Sequence, residues 1–278
     1  MRMRIKHRFV VDGKNSSVLE YLTGKGIEKE QLYLSTAFYL YEDDVSYNEI
    51  KGFLDYHGIL HLPSTSQLVF SQDEIDNAKW LSVRSSWLNG YPHPKSDMGY
   101  RAFTFDDTGF CDKCLNGLVQ KGSFILKKEQ TWGRRNFFML NWVHDELFAS
   151  IKAANILESS NLTGFSFHDV IDESGDILKG TKQMCVDNCL ESGLNSDSVK
   201  EVLTCEKCGF VKYLRKIGLL FYNKKAFADV NTDVIKTYEK FGEITCISMI
   251  FASQKFYKTI TENNLDQDLV FEPVNLTD

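Results

Sequence analysis

Cys111-Asp112-Lys113-Cys114 returns, with the same acid-then-lysine centre, as Cys205-Glu206-Lys207-Cys208. Two Cys-x-x-Cys pairs of one spacing are the sequence form of a tetrathiolate zinc site, each pair a ribbon-like knuckle offering two thiolates. Gly209 follows the second pair and Asn116-Gly117 the first, residues that let a chain turn back beneath a metal. Two ligands leave zinc two-coordinate, which a structural site does not accept. The simplest completion is one Zn2+ shared by Cys111, Cys114, Cys205 and Cys208. A redox reading is weaker, because thioredoxin-type pairs open a helix in a βαβ unit and these lead into strand-like, aromatic-rich sequence. Unliganded thiols are the remaining alternative.

Outward from the pairs a longer repeat emerges. Phe148-Ala149-Ser150-Ile151-Lys152 matches Phe251-Ala252-Ser253-Gln254-Lys255, 103 positions on. At the same offset Leu157 falls on Ile260, Asn161 on Asn264 and Leu162 on Leu265, and Phe167-x-x-Val170 meets Phe271-x-x-Val274 one residue later. Ser150 and Ser253 suit helix N-caps; Asn161 and Asn264 suit the left-handed residue that ends a helix. The pattern predicts an internal duplication: cysteine pair, strands, helix, Asn-Leu turn, strand. The expected organisation is an N-terminal α+β region over 1–95 and repeat units over 96–180 and 181–278, with a boundary at Gly90-Tyr91-Pro92-His93-Pro94.

The fold class expected is α+β, with mixed or antiparallel sheets and flanking helices at about 46–56, 71–86, 150–160 and 253–263. Residues 1–12 and Leu32–Tyr41 read as strands, and Tyr100–Phe105 reads as another from its alternation. Ser71-x-x-Glu74 is a capping box opening the 71–86 helix. His57 and His61 share the spacing of metal ligands on a helix, but Gly58 and Pro63 oppose a helix there.

The chain of 278 residues is 43% hydrophobic and 13% aromatic with a net charge of −6, which favours a folded body over a general nucleic-acid or membrane-surface binder. No apolar run approaches the roughly 20 residues of a membrane helix. Phe9-Val10-Val11 is too short for a signal core, so the thiols read as reduced and the compartment as cytoplasmic. Cys185-x-x-x-Cys189 has the poorer knuckle spacing and reads as packed thiols, and Cys246 reads as core. His144-Asp145-Glu146 offers acid and base groups, but reads as a solvated turn before a helix. No catalytic residues are assigned. Two basic–aromatic clusters, Lys121, Lys127, Lys128, Arg134 and Arg135 around Phe124 and Trp132, and Lys207, Lys212, Arg215, Lys216, Lys224 and Lys225 around Phe210, Tyr213, Phe221 and Tyr222, suit either half-buried strands or a nucleic-acid or acidic-partner surface.

With both pairs, the Asn141–Phe148 segment (NWVHDELF) and Asn161-Leu162-Thr163-Gly164-Phe165 in view, the last 170 or so residues resemble the bacterial double-CXXCG motif proteins, a group related to immunity proteins of polymorphic toxin systems. Leu115 stands where that pattern has glycine after the first pair. The resemblance implies a zinc-bound, non-enzymatic α+β protein that neutralises a cognate toxin by direct contact. A zinc-ribbon nucleic-acid-binding protein is the alternative.

Overall fold

In the computed structural model of the chain, which describes residues 3–59 and 66–278, the division into compact units falls between Glu74 and Ile75, not near residue 95. The first unit contains β1 (Arg4–Asp12), α1 (Ser16–Gly24), β2 (Glu28–Gln31), β3 (Ser35–Tyr41), α2 (Tyr47–Tyr56) and β4 (Gln67–Val69). Its sheet is antiparallel, in the order β2-β3-β1-β4. Phe9, Val11, Phe38 and Leu40 from the sheet pack with Val18, Leu22, Ile50 and Leu54 from the helices. His57 lies against the Phe53 ring at 4.4 Å, and His61 falls outside the described residues.

The capping box forms: Ser71 Oγ accepts from the Glu74 amide, and Glu74 Oε2 accepts from the Ser71 amide at 2.9 Å. The helix it opens is short, α3 (Gln72–Asn77), and does not run to Ser86. Residues Trp80–Ser85 form a strand instead, β5. Trp80, Leu81, Ser82 and Val83 are consecutive and all buried, because β5 is the middle of a five-stranded sheet. A strand covered on both faces loses the alternation that marks a strand in sequence. The reverse error occurs at 100–105, where Tyr100–Thr104 is a helix, α4, burying Tyr100 and Thr104 one turn apart.

Beyond α4 the chain makes β6 (Phe105–Asp106), β7 (Val119–Gln120), β8 (Ile125–Leu126), β9 (Phe137–Leu140), β10 (Val143–Ser150), α5 (Ile151–Glu158), β11 (Ser166–Asp172) and β12 (Ile177–Cys185). Then follow β13 (Val199–Thr204), β14 (Val211–Arg215), β15 (Leu220–Asn223), β16 (Val234–Lys236), β17 (Ile250–Ser253), α6 (Gln254–Glu262) and β18 (Leu269–Thr277). One sheet runs β8-β11-β12-β10-β9 and the other β15-β18-β5-β17-β16. The two orders match strand for strand, with the same parallel pair at one edge and antiparallel pairs elsewhere.

The registers match as well. Leu147 faces Met184 and Ser150 faces Thr181 in the first sheet; Ile250 faces Val83 and Ser253 faces Trp80 in the second. Phe167 faces Met184 just as Phe271 faces Val83. The strand filling the middle of each sheet is therefore β12 in one and β5 in the other, and each precedes a cysteine pair whose following strands build the opposite sheet. The two sheets are threaded through each other in sequence.

Helix caps repeat the correspondence. Ser150 Oγ accepts from the Ala153 amide at 3.1 Å and Ser253 Oγ from the Phe256 amide at 3.2 Å, caps worth about 1 kcal/mol each. Asn161 and Asn264 both take a φ of 53°. Leu147, Ala149, Ala153 and Leu157 meet Ile250, Ala252, Phe256 and Ile260 in one shared core. Burying a leucine or isoleucine there contributes about 2 kcal/mol. Among the described residues no helix is long and apolar enough to cross a membrane.

Candidate metal centre

The knuckles sit at corresponding places, the first between β6 and β7 and the second between β13 and β14. Each turn closes the same way. The Cys111 amide donates to Asn116 O at 2.8 Å and the Leu115 amide to Cys111 O at 2.7 Å; the Cys205 amide donates to Phe210 O at 2.9 Å and the Gly209 amide to Cys205 O at 2.8 Å. This turn needs a left-handed residue after the second cysteine. Gly209 supplies it at φ 71° and Leu115, despite its side chain, at φ 62°. The departure from glycine at Leu115 leaves the backbone of the first knuckle the same as the second.

The four sulfurs of Cys111, Cys114, Cys205 and Cys208 all lie within 4.8 Å of one another. Cys111 Sγ is 3.8 Å from Cys205 Sγ, and Cys114 Sγ is 3.5 Å from Cys208 Sγ. Four thiolates held at about 2.3 Å from a tetrahedral ion stand about 3.8 Å apart, so the set is already at ligating separation. Each contact pairs the same position of the two knuckles, as a two-fold axis through the ion requires.

The middle residues explain their own repetition. Lys207 Nζ donates to Asp112 Oδ1 at 2.7 Å, and Lys113 pairs with Glu206, so each knuckle gives its acid to the other's lysine. These pairs are solvent-exposed and add little stability, but they place two ammonium groups beside the thiols. Lys212, buried, donates to Glu243 O at 2.7 Å and Thr245 O at 2.8 Å, and reaches Cys114 O at 3.4 Å, tying the second hairpin to the back of the first knuckle.

Amide groups tune the thiols unequally. The Cys208 and Lys207 amides hold Cys205 down to about 6, and the Cys114 and Lys113 amides lower Cys111 in the same manner. Burial pushes Cys114 up to about 12. A bound cation would ionise all four, because only the thiolate ligates.

Other sequence candidates lie elsewhere. Cys185 is buried away from the cluster, and burial with the Glu146 carboxylate pushes its thiol up to about 12. Cys189 is exposed rather than packed, and Cys246 is half-buried on the wall of a cleft rather than in the core. His144-Asp145-Glu146 is not a solvated turn. It lies within β10, where Glu146 is half-buried against Lys236 and accepts from Gln183 Nε2 at 3.1 Å. An acid in a half-polar strand segment carries no sign of burial in sequence; the lysine that pairs with it is 90 positions away.

The second basic cluster disperses in part: Lys212 is buried, Arg215 is half-buried, Lys207 pairs with Asp112 and Lys224 with Asp278, while Lys216 and Lys225 are exposed. In the first, the Arg135 guanidinium stacks 4.5 Å over Trp87 and faces Asp268. No protein-family profile matches the chain, and no curated protein matches it at a significant level.

Proposed function

We propose that the chain is a zinc-stabilised, non-enzymatic binding protein of the immunity type, acting by direct contact with a cognate protein. The observation that carries the zinc reading is the donor set itself. Four thiolates at tetrahedral separation select zinc or an iron–sulfur centre among biological metals, and the closed tetrathiolate form is the structural zinc site. Such a site has no open position for an activated water, so its role is to hold two segments together. Supporting the binding-protein reading is the resemblance to the double-CXXCG proteins, whose two pairs, in this chain, make one centre. We read the matching sheets as two copies of one unit with exchanged central strands, the metal pinning their outer hairpins.

The engagement of Lys212 by backbone carbonyls, and of Lys207 and Lys224 by carboxylates, weighs against the nucleic-acid alternative. Affinity-tagged protein recovered from its host tests the function. A protein partner in stoichiometric amount supports it; recovery of the chain alone, together with tight nucleic-acid binding that weakens with salt, refutes it.

A further inference from the structure

The four sulfurs of the centre differ in how solvent reaches them. Cys111 and Cys114 are buried, Cys205 is half-buried and Cys208 is exposed. Both knuckles make the same backbone turn, so the difference comes from their surroundings and not from the turn itself. A recess of about 220 Å³ also opens onto Cys114 and Cys205, between Lys113, Glu206, Lys212 and Glu243. It has room for a few water-sized molecules. A small solution oxidant therefore meets Cys208 first and has a second approach to the pair behind it.

The sulfurs touch across the knuckles. Cys208 Sγ lies 3.5 Å from Cys114 Sγ, and Cys205 Sγ lies 3.8 Å from Cys111 Sγ. Each of the more open sulfurs is thus in contact with a buried one from the other knuckle. A disulfide holds its sulfurs about 2.05 Å apart, so Cys114 and Cys208 bond after an approach of about 1.5 Å. That bond joins the same two segments as a shared ion. A bond within one knuckle would instead leave the two hairpins untied. Losing the ion need not unfold the chain, because β5 and β12 and the core of Leu147, Leu157, Ile250 and Ile260 hold the sheets together without it.

We propose that Cys208 and Cys114 form a peroxide-sensitive pair that exchanges the metal tie between the knuckles for a covalent one. The Cys208 thiolate attacks the oxygen–oxygen bond of hydrogen peroxide, giving a sulfenic acid and hydroxide. The Cys114 thiolate then attacks that sulfur, forming the disulfide and releasing a second hydroxide. The two thiolates lose one electron each, and the peroxide takes both. Cys111 and Cys205 alone do not make a structural site, so they release the ion and take protons from water. A dithiol reductant returns the two electrons and restores all four ligands. The inference rests on the shared metal centre of the proposed function, and not on what the chain binds.

Hydrogen peroxide added to the full chain, after its zinc has been counted, tests it. Released zinc is followed with a chromogenic chelator, and disulfides are located by peptide mapping without reductant. Release of the bound zinc is expected, with a Cys114–Cys208 cross-link, unchanged circular dichroism and recovery of zinc binding after dithiothreitol. Cys208→His keeps a fourth ligand that zinc accepts and removes the open thiol; it is expected to release zinc about tenfold more slowly. Cys189→Ser removes an exposed thiol outside the centre and is expected to leave the release rate unchanged. Zinc retained in excess peroxide overturns the proposal, as does a Cys205–Cys208 or Cys111–Cys114 bond in place of the cross-knuckle one. Equal release from wild type and Cys208→His also overturns it. A chain that holds no zinc before oxidation, even when metal is supplied, refutes the zinc reading by itself, and the mapped disulfide still decides whether the pair forms.

Discussion

Exchanging Cys205 and Cys208 together for serine removes half the ligands of the shared centre and with them a cross-link between segments 94 residues apart. An ion held by the folded chain and not by the unfolded one stabilises the fold by its binding free energy, about 4.1 kcal/mol at free zinc 1,000 times the dissociation constant. The native state has other ties across the same gap. β5 and β12 remain hydrogen-bonded in the sheets they complete, and the shared core of Leu147, Leu157, Ile250 and Ile260 does not touch the metal. The variant is therefore expected to fold, with unchanged circular dichroism, and to be less stable because its folded state no longer gains the binding free energy of the ion. With a urea slope of about 2.5 kcal/mol per molar, that loss moves the midpoint down by about 1.6 M without changing the slope. The assay is urea unfolding of the wild type and the variant in buffered zinc, repeated with a chelator. A midpoint shift below about 0.5 M would refute the cross-link, as would a chelator acting equally on both proteins.

Leu115→Gly is expected to stabilise the chain by about 1 kcal/mol by removing a side chain from a left-handed position, and Gly209→Ala to cost a similar amount, both read from thermal unfolding. Gly164, at φ 94°, turns where any Cβ would strike the Val234 carbonyl oxygen and Thr232, so Gly164→Ala should cost more than about 2 kcal/mol by the same measurement, roughly the cost of a buried clash. Cys185 stays protonated in the fold up to about 12 against an ordinary 9.0. An acid whose affinity for its proton is raised by folding stabilises the fold below its ordinary value, so this contribution is lost as pH rises from 9.0 towards 12. Native protein at pH 8 should accordingly show no alkylation of Cys185 by mass spectrometry until it is unfolded.

What was legible in the sequence was whatever depends on local spacing. The four cysteines, the two serine caps, the two left-handed asparagines and the Ser71–Glu74 box are short-range devices, and each is found in place. Misread segments are those whose environment is set by distant chain. Trp80–Ser85 follows a genuine cap without a break in apolar character, and only its partners near 250 and 270 make it a strand. Tyr100–Thr104 alternates like a strand yet buries residues a helical turn apart. Lys212 and Lys236 look like surface lysines until the carbonyls and the carboxylate that receive them, from 31 to 98 positions away, are brought up by the fold. The acid–lysine centre of each pair carried a usable signal. Two knuckles repeating Asp-Lys and Glu-Lys can exchange partners across an axis, which hints at their proximity before any coordinates.

X-ray absorption at the zinc edge, on protein purified without added metal and quantified for zinc, tests the shared centre most directly. One zinc per chain with four sulfur neighbours at about 2.3 Å is the predicted result. Two metals per chain, or a first shell containing nitrogen or oxygen, would contradict it.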